Sequence, residues 1–228
     1  MTAAGVHRPV PGAAPAPVAG PGQGWPRLAW LYLVSRHAPA AAGLLAGFGA
    51  LLWAALHWHW SVAGGPAAAI VFPLVTETGA AAVIAVTTYG PFGEPERATG
   101  RWLPFLRLGA TAALTAAAIG ALALGATGGA LPGGFAAMAR NVAGITGIGL
   151  LCAAALDGGL SWTGPTGYLV AAVYALYTQW HPPAQTTPWL WPARPPHDLG
   201  GALCAGLVFV CGVAAVTLRG ARDRTGDP

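Results

Sequence analysis

The stretch FPLVTETGAAAVIAV, from Phe72 to Val86, holds a carboxylate in the middle of an apolar run: Glu77, flanked by Thr76 and Thr78. An acid at the centre of a bilayer costs at least about 2.5–3.5 kcal/mol on insertion scales. A carboxylate kept there must face a bundle interior, pair with a cation or take up a proton. Two roles are open to Glu77, Thr76 and Thr78: lining a polar pathway, or locking two helices together by a buried hydrogen bond. A helix places Pro73, Ala80, Ala81 and Ile84 on the same side as Glu77, so that side is expected to turn inward. Arg140, beside Asn141 at the head of a later apolar run, becomes a partner only if that run begins deep.

The histidines are the next residues able to do chemistry. His57, His59, His181 and His197, the last followed by Asp198, fall in or near Trp-rich segments. Imidazole is a common transition-metal ligand, so a membrane metal- or haem-binding protein using these four is one reading. No HxxxH or HExxH spacing accompanies them, and the primary expectation is that no metal or other cofactor is held. Cys152, Cys204 and Cys211 lie in apolar runs without CxxC spacing, which suits small buried hydrophobes better than disulfides or metal ligands. Enzymatic chemistry finds little support. There is no GxSxG, and Ser35, Ser61 and Ser161 sit at the ends of apolar runs. All 11 basic residues are arginine, so the lysine of a GxxxxGK[ST] phosphate loop is missing and no lysine Schiff base can form. Any ATPase activity would belong to a partner chain.

The elements that hold these residues follow from composition. Of 228 residues, 55% are hydrophobic and 8% charged, with a mean hydropathy of +0.56. A soluble domain carries about a quarter charged residues. So few charges cannot clothe a water-soluble globule, and an all-α integral membrane protein is expected. Residues 1–24, rich in Pro, Gly and Ala, lack the pattern of a signal peptide and are expected to form a disordered cytoplasmic tail. Residues 25–37, with Trp25, Arg27, Trp30, Arg36 and His37, are too short and too charged to span and suit an interfacial helix. A spanning helix needs about 20 apolar residues. Six runs qualify or come close: Pro39–Leu56, Pro66–Tyr89, Leu108–Leu131, Asn141–Leu156, Gly164–Trp180 and Leu199–Leu218. They give a membrane domain over 25–220, with a cytoplasmic tail at 221–228.

Arginine placement orients the chain. With both termini inside, nine arginines fall on the cytoplasmic side, and only Arg140 and Arg194 fall outside. That is the positive-inside bias of a multi-pass protein, here of a bacterial plasma membrane. Because the arginines are scattered along the flanks of apolar runs, the formal charge of +4 speaks for orientation in lipid, not for nucleic acid. Tryptophans agree: Trp25, Trp30, Trp102 and Trp162 map to the inner boundary, while Trp58, Trp60, Trp180, Trp189 and Trp191 map to the outer one. Gly43 and Gly47, Gly144, Gly147 and Gly149, and Gly206 and Gly212 are spaced to let helix backbones approach closely.

Two loops complete the pattern. YGPFGEPERATGRWLPFLR begins like a helix at Gly93-Glu94-Pro95 and sets Arg97 and Arg101 on one face. WHPPAQTTPWLWPARPPHD is long, dense in Pro and Trp, and apolar enough at TTPWLW to dip back into the membrane interface. A tail, an interfacial helix, six spans with both ends inside, a helical first inner loop and a re-entrant-like last outer loop resemble the permease subunits of type-2 ATP-binding-cassette exporters. RNVAGITGIGLL and SWTGPTGY are similar to segments of small actinobacterial membrane proteins of this kind. The resemblance implies that Glu94, Glu96, Arg97 and Arg101 hold the position of a coupling helix docking on a cytoplasmic ATP-binding-cassette ATPase. It implies that Trp25–Arg36 is a connecting helix, and that two six-helix subunits face each other as a homodimer or heterodimer. The remaining reading is a structural or immunity-type membrane partner with no pathway of its own.

Overall fold

The computed structural model describes residues 37–58, 65–88, 103–156, 158–177 and 187–219, with side chains placed for all of these but 65–69 and 177. The expected tails at 1–24 and 221–228, the interfacial helix at 25–37 apart from His37, the inner-loop residues Glu94, Glu96, Arg97 and Arg101, and both His59 and His181 lie outside the described residues.

Among the described residues six helices follow in order: α1 (Ala38–His57), α2 (Gly65–Thr87), α3 (Leu103–Gly125), α4 (Gly134–Ala155), α5 (Thr163–Tyr177) and α6 (Leu199–Arg219). Short 3₁₀ turns at Gly158–Leu160 and Trp191–Ala193 join the later ones, and there is no strand among the described residues. Five of these described helices are long and apolar enough to cross a membrane: α1, α2 over Ile70–Thr87, α3, α4 and α6. The sixth, α5, has 15 residues, short of the about 20 that a bilayer core requires. The described part of the protein is all-helical, and its five apolar helices make it a multi-pass membrane protein in contact with lipid.

Two boundaries differ from the hydropathy reading. The third helix runs from Leu103 to Gly125 instead of Leu108 to Leu131. The segment GATGGALPGG stops it: Gly128, Gly133 and Gly134 all take positive φ (77°, 74° and 69°), a backbone open to glycine and costly for other residues. The fourth helix starts at Gly134, not Asn141, because an arginine does not end a helix when its charge finds acceptors. Residues 134–140 therefore extend α4 by nearly two turns and bring Arg140 inside it.

Packing is centred on α4, whose span is 61% buried, whereas that of α6 is 22% buried. One core joins α1, α2, α3 and α4 through Leu45, Leu52, Ile84, Leu122, Met138 and Val142. A second joins α2, α4, α5 and α6 through Leu74, Ala81, Ile145, Ala172 and Ala205, and it takes in Trp191 from the connection before α6. Glycine permits the tightest crossings. A Cβ on Gly147 would lie 2.6 Å from the backbone of Phe209, and one on Gly212 would lie 2.5 Å from the Gly147 carbonyl oxygen. Gly49 and Gly125 make the same kind of approach between α1 and α3. Gly43, Gly47 and Gly206 do not: no neighbouring atom lies within 4 Å of where their Cβ would be. Their spacing suited close packing, but their faces point away from the bundle.

The outward flank of α6 is apolar, with Leu199, Leu203, Leu207, Val210 and Leu218 exposed. So large an unbroken apolar face suits acyl chains. The three cysteines are unpaired, and Cys211 lies on that exposed side. Chain direction alternates through the bundle. The end of α1 meets the α3–α4 turn, where a Cβ on Gly128 would lie 3.3 Å from His57 Nε2 and one on Gly129 would lie 2.9 Å from the Leu56 side chain. Leu176, at the end of α5, faces the same end as Pro132 and Gly133.

Candidate functional site

Glu77 sits near the middle of α2, 3% exposed, on the face that also buries Ala80, Ala81 and Ile84. Its Oε2 accepts a hydrogen bond from Nδ2 of Asn141 on α4, at 2.9 Å. Asn141 is itself 8% exposed. A carboxylate in an apolar bundle needs donors, and the amide supplies one across the α2–α4 interface. Thr76 and Thr78 flank Glu77 and are buried, yet neither shares its chemistry. Their hydroxyls donate to the Pro73 and Leu74 carbonyls of their own helix, both at 2.7 Å.

Arg140 lies in the second turn of α4, 8% exposed. Extending α4 meets the condition for reaching Glu77, but the hydrogen bonds go elsewhere. The guanidinium donates to the Trp191 carbonyl at 2.6 Å and to the Pro195 carbonyl at 2.9 Å, with a longer contact of 3.4 Å to that of Arg194. It thus fastens the connection before α6 to the side of α4. Successive helical residues point about 100° apart. That rotation sends 141 toward α2 and 140 toward the connection.

The connection itself is built into the bundle. Trp191 is 2% exposed and stacks on Tyr168 of α5, with ring centroids 4.7 Å apart. Gly144 makes room for it, since a Cβ there would stand 2.6 Å from the indole. The Tyr168 hydroxyl donates to the Trp189 carbonyl at 2.8 Å. Arg194 forms a two-point ion pair with Asp198, Nε to Oδ2 at 2.6 Å and Nη2 to Oδ1 at 2.7 Å. Asp198 also caps α6, accepting from the Gly201 amide. That amide first, and the Arg194 guanidinium after it, hold its carboxyl below the ordinary value.

Between these elements lies a cleft of about 220 Å³. Its polar lining comes from Glu77, Arg140, Asn141 and Arg194, and its apolar lining includes Ile70, Pro73, Leu74 and Leu176. Three of the polar residues carry buried atoms without a hydrogen-bond partner: Asn141 Oδ1, Arg140 Nε and Arg194 Nε, the last held against Asp198 as an ion pair. The arrangement can accept positive charge at one point and donate to negative charge at a neighbouring one.

Of the candidate histidines that are described, neither His57 nor His197 lines this cleft. His57 Nδ1 donates to the Trp53 carbonyl at 2.9 Å, and its ring stacks on Trp53 at 4.6 Å. His197 is exposed. Among the described residues no three of His, Cys, Asp and Glu gather as a metal site would require. Sequence reasoning missed Asn141 as the partner of Glu77 and Trp191 as a core residue. One signal for the first was present: Asn141 is the only asparagine in the chain, and it sits in an apolar run.

Fold and site together define a multi-pass helical membrane protein with a charged cleft inside its bundle. No protein-family model matches the chain, and comparison with curated proteins and with solved structures gives no match either.

Proposed function

We propose that the chain is the membrane-spanning permease subunit of an ATP-binding-cassette exporter, moving a small polar solute past Glu77. The observation that carries this reading is the Glu77–Asn141 pair on the wall of a cleft inside a bundle of membrane-spanning helices. A lock between helices needs no cleft, whereas a solute pathway does. Intramembrane ionisable groups that border a cavity commonly mark such pathways. In this reading α5 is the sixth span, both termini are cytoplasmic, and the membrane is a bacterial plasma membrane. The cleft then opens outward, among the ends of α1, α3 and α5. Energy comes from a separate ATPase docking on Glu94, Glu96, Arg97 and Arg101, because a chain without lysine has no phosphate loop of its own. Two such subunits, identical or different, enclose the path.

The test is cysteine accessibility in membrane vesicles. Cys152, Cys204 and Cys211 are replaced by alanine, and Glu77→Cys supplies the single thiol. A membrane-impermeant maleimide is expected to react at position 77, at a rate that changes when the co-expressed ATPase receives ATP. No reaction in any state would make Glu77 a lock. Reaction indifferent to ATP would remove the exporter assignment.

A further inference from the structure

We propose that the cleft is a binding site for a small zwitterion, an α-amino acid with an apolar side chain, its ammonium held by Glu77 and Asn141 and its carboxylate by Arg140. The assignment deepens the permease reading and rests on its premise that the cleft holds solute.

Charge comes first. The cleft is lined by an acid, Glu77, and by a guanidinium, Arg140. The donor to Glu77 is a neutral amide, and the acceptors of Arg140 are neutral carbonyls. Neither residue is hydrogen-bonded to a group of opposite charge. The third charged wall residue, Arg194, is already paired with Asp198. A simple cation entering the cleft would meet Glu77 but also the guanidinium of Arg140. A simple anion would meet Arg140 but also the carboxylate. Only a ligand carrying both signs gains at both places.

Two of the unpartnered atoms on the cleft wall, those of Asn141 and Arg140, agree with this division. Both belong to residues more than nine-tenths buried, and the atoms themselves are covered, so a ligand meets them as the cleft wall parts. Asn141 spends its amide N–H on Glu77 and leaves Oδ1 as a free acceptor, beside the carboxylate that would hold an ammonium. An ammonium has three donors, enough for Glu77 and Oδ1 together. Arg140 spends both terminal nitrogens on carbonyls and leaves Nε–H as its free donor, suited to a carboxylate oxygen. Acceptors thus cluster at one point and a charged donor stands at the next.

Size and lining narrow the class. Sites for drug-sized ligands have volumes of about 300–1,000 Å³. This one, at about 220 Å³, suits a molecule on the scale of a single amino acid. Ile70, Pro73, Leu74 and Leu176 offer an apolar side chain a dry wall and offer a polar one no partner.

The experiment uses the full chain in lipid nanodiscs and three matched probes: L-leucine, isopentylamine, which is leucine without its carboxylate, and 4-methylpentanoate, which is leucine without its ammonium. Calorimetric titration is expected to show saturable binding of L-leucine, with each half-ligand at least about tenfold weaker, because each leaves one buried charge unanswered. Glu77→Gln keeps the shape and the bond to Asn141. It should weaken L-leucine at least about tenfold while leaving 4-methylpentanoate binding equal or tighter. Should this variant fail to fold, the wild-type comparison of the three probes decides alone. Equal binding of all three, binding of isopentylamine or 4-methylpentanoate in preference to leucine, or no binding to folded wild-type protein would overturn the assignment. The two readings fail separately. Leucine binding without any response of thiol labelling to ATP upholds the site and removes the exporter. An ATP response without leucine binding removes the zwitterion assignment and leaves the exporter in place.

Discussion

Replacing Asn141 by leucine deletes the donor that reaches Glu77 across the α2–α4 interface at 2.9 Å. A hydrogen bond to a charged group contributes about 1.5–3 kcal/mol in water-soluble proteins. In membrane bundles measured couplings are smaller, about 0.6 kcal/mol on average and up to about 1.7, because loosened helices find other partners. Glu77 is 3% exposed and Asn141 8%, so substitute donors are scarce and the upper part of the membrane range applies. Asn141→Leu should therefore destabilise by about 2 kcal/mol, part of it the cost of a stranded carboxylate. Glu77→Met should destabilise by less, about 1 kcal/mol, since it strands only a neutral amide. The double variant replaces both partners with apolar groups of similar size, so nothing polar is left stranded. Its loss should fall short of the sum by about 1.5 kcal/mol. The assay is reversible unfolding in mixed detergent micelles, run as a double-mutant cycle. Losses that add to within about 0.3–0.5 kcal/mol would mean that the two side chains act independently, and the reasoning that joins them would be refuted.

Gly147→Ala places a methyl 2.6 Å from the Phe209 backbone, which cannot swing aside as a side chain would, and is expected to destabilise by about 1–3 kcal/mol in the same unfolding assay. Gly43→Ala meets nothing within 4 Å and should be neutral or stabilising by up to about 1 kcal/mol, through helix propensity alone. Asp198, with its carboxyl held below the ordinary 3.8, contributes stability that is complete above that pH and lost as pH falls through the lowered value. Thermal unfolding followed downward through that window should show a falling limb in wild type that Asp198→Ala lacks.

Helices were the most legible part of the chain. The first run, expected at Pro39–Leu56, folds as Ala38–His57, and the last, expected at Leu199–Leu218, folds as Leu199–Arg219. Apolar runs mark spans because lipid demands them. Where an arginine interrupted a run the boundary was misread, as at Arg107 within α3 and Arg140 within α4. Charge limits a helix in lipid only when it lacks acceptors, and Arg140 finds three carbonyls from a segment some 50 residues further on. The depth of Glu77 was legible, but its partner was not. Reading by charge pairs the acid with Arg140, whereas the rotation of α4 presents Asn141. Trp191 looked like one more belt tryptophan. What buries it is the missing side chain of Gly144, a fact about another helix. Glycine spacing likewise marked where close approach is permitted, and helix orientation decided that Gly147 and Gly212 use it while Gly43 and Gly47 do not.

The hold of Arg140 on the connection before α6 is made through main-chain oxygens, which every residue supplies alike. Side chains at Pro192, Ala193 and Pro196 stand on the cleft wall without being read by the guanidinium that pins their backbone. Fastening and the shape of the cleft wall are therefore carried by different atoms of the same few residues. Substitution along this segment can reshape what the cleft admits while its attachment persists, so long as the backbone keeps its path and Trp191 keeps its seat. A chain built this way can reshape its cleft by drifting in a handful of positions, with no compensating change in the helix that anchors them.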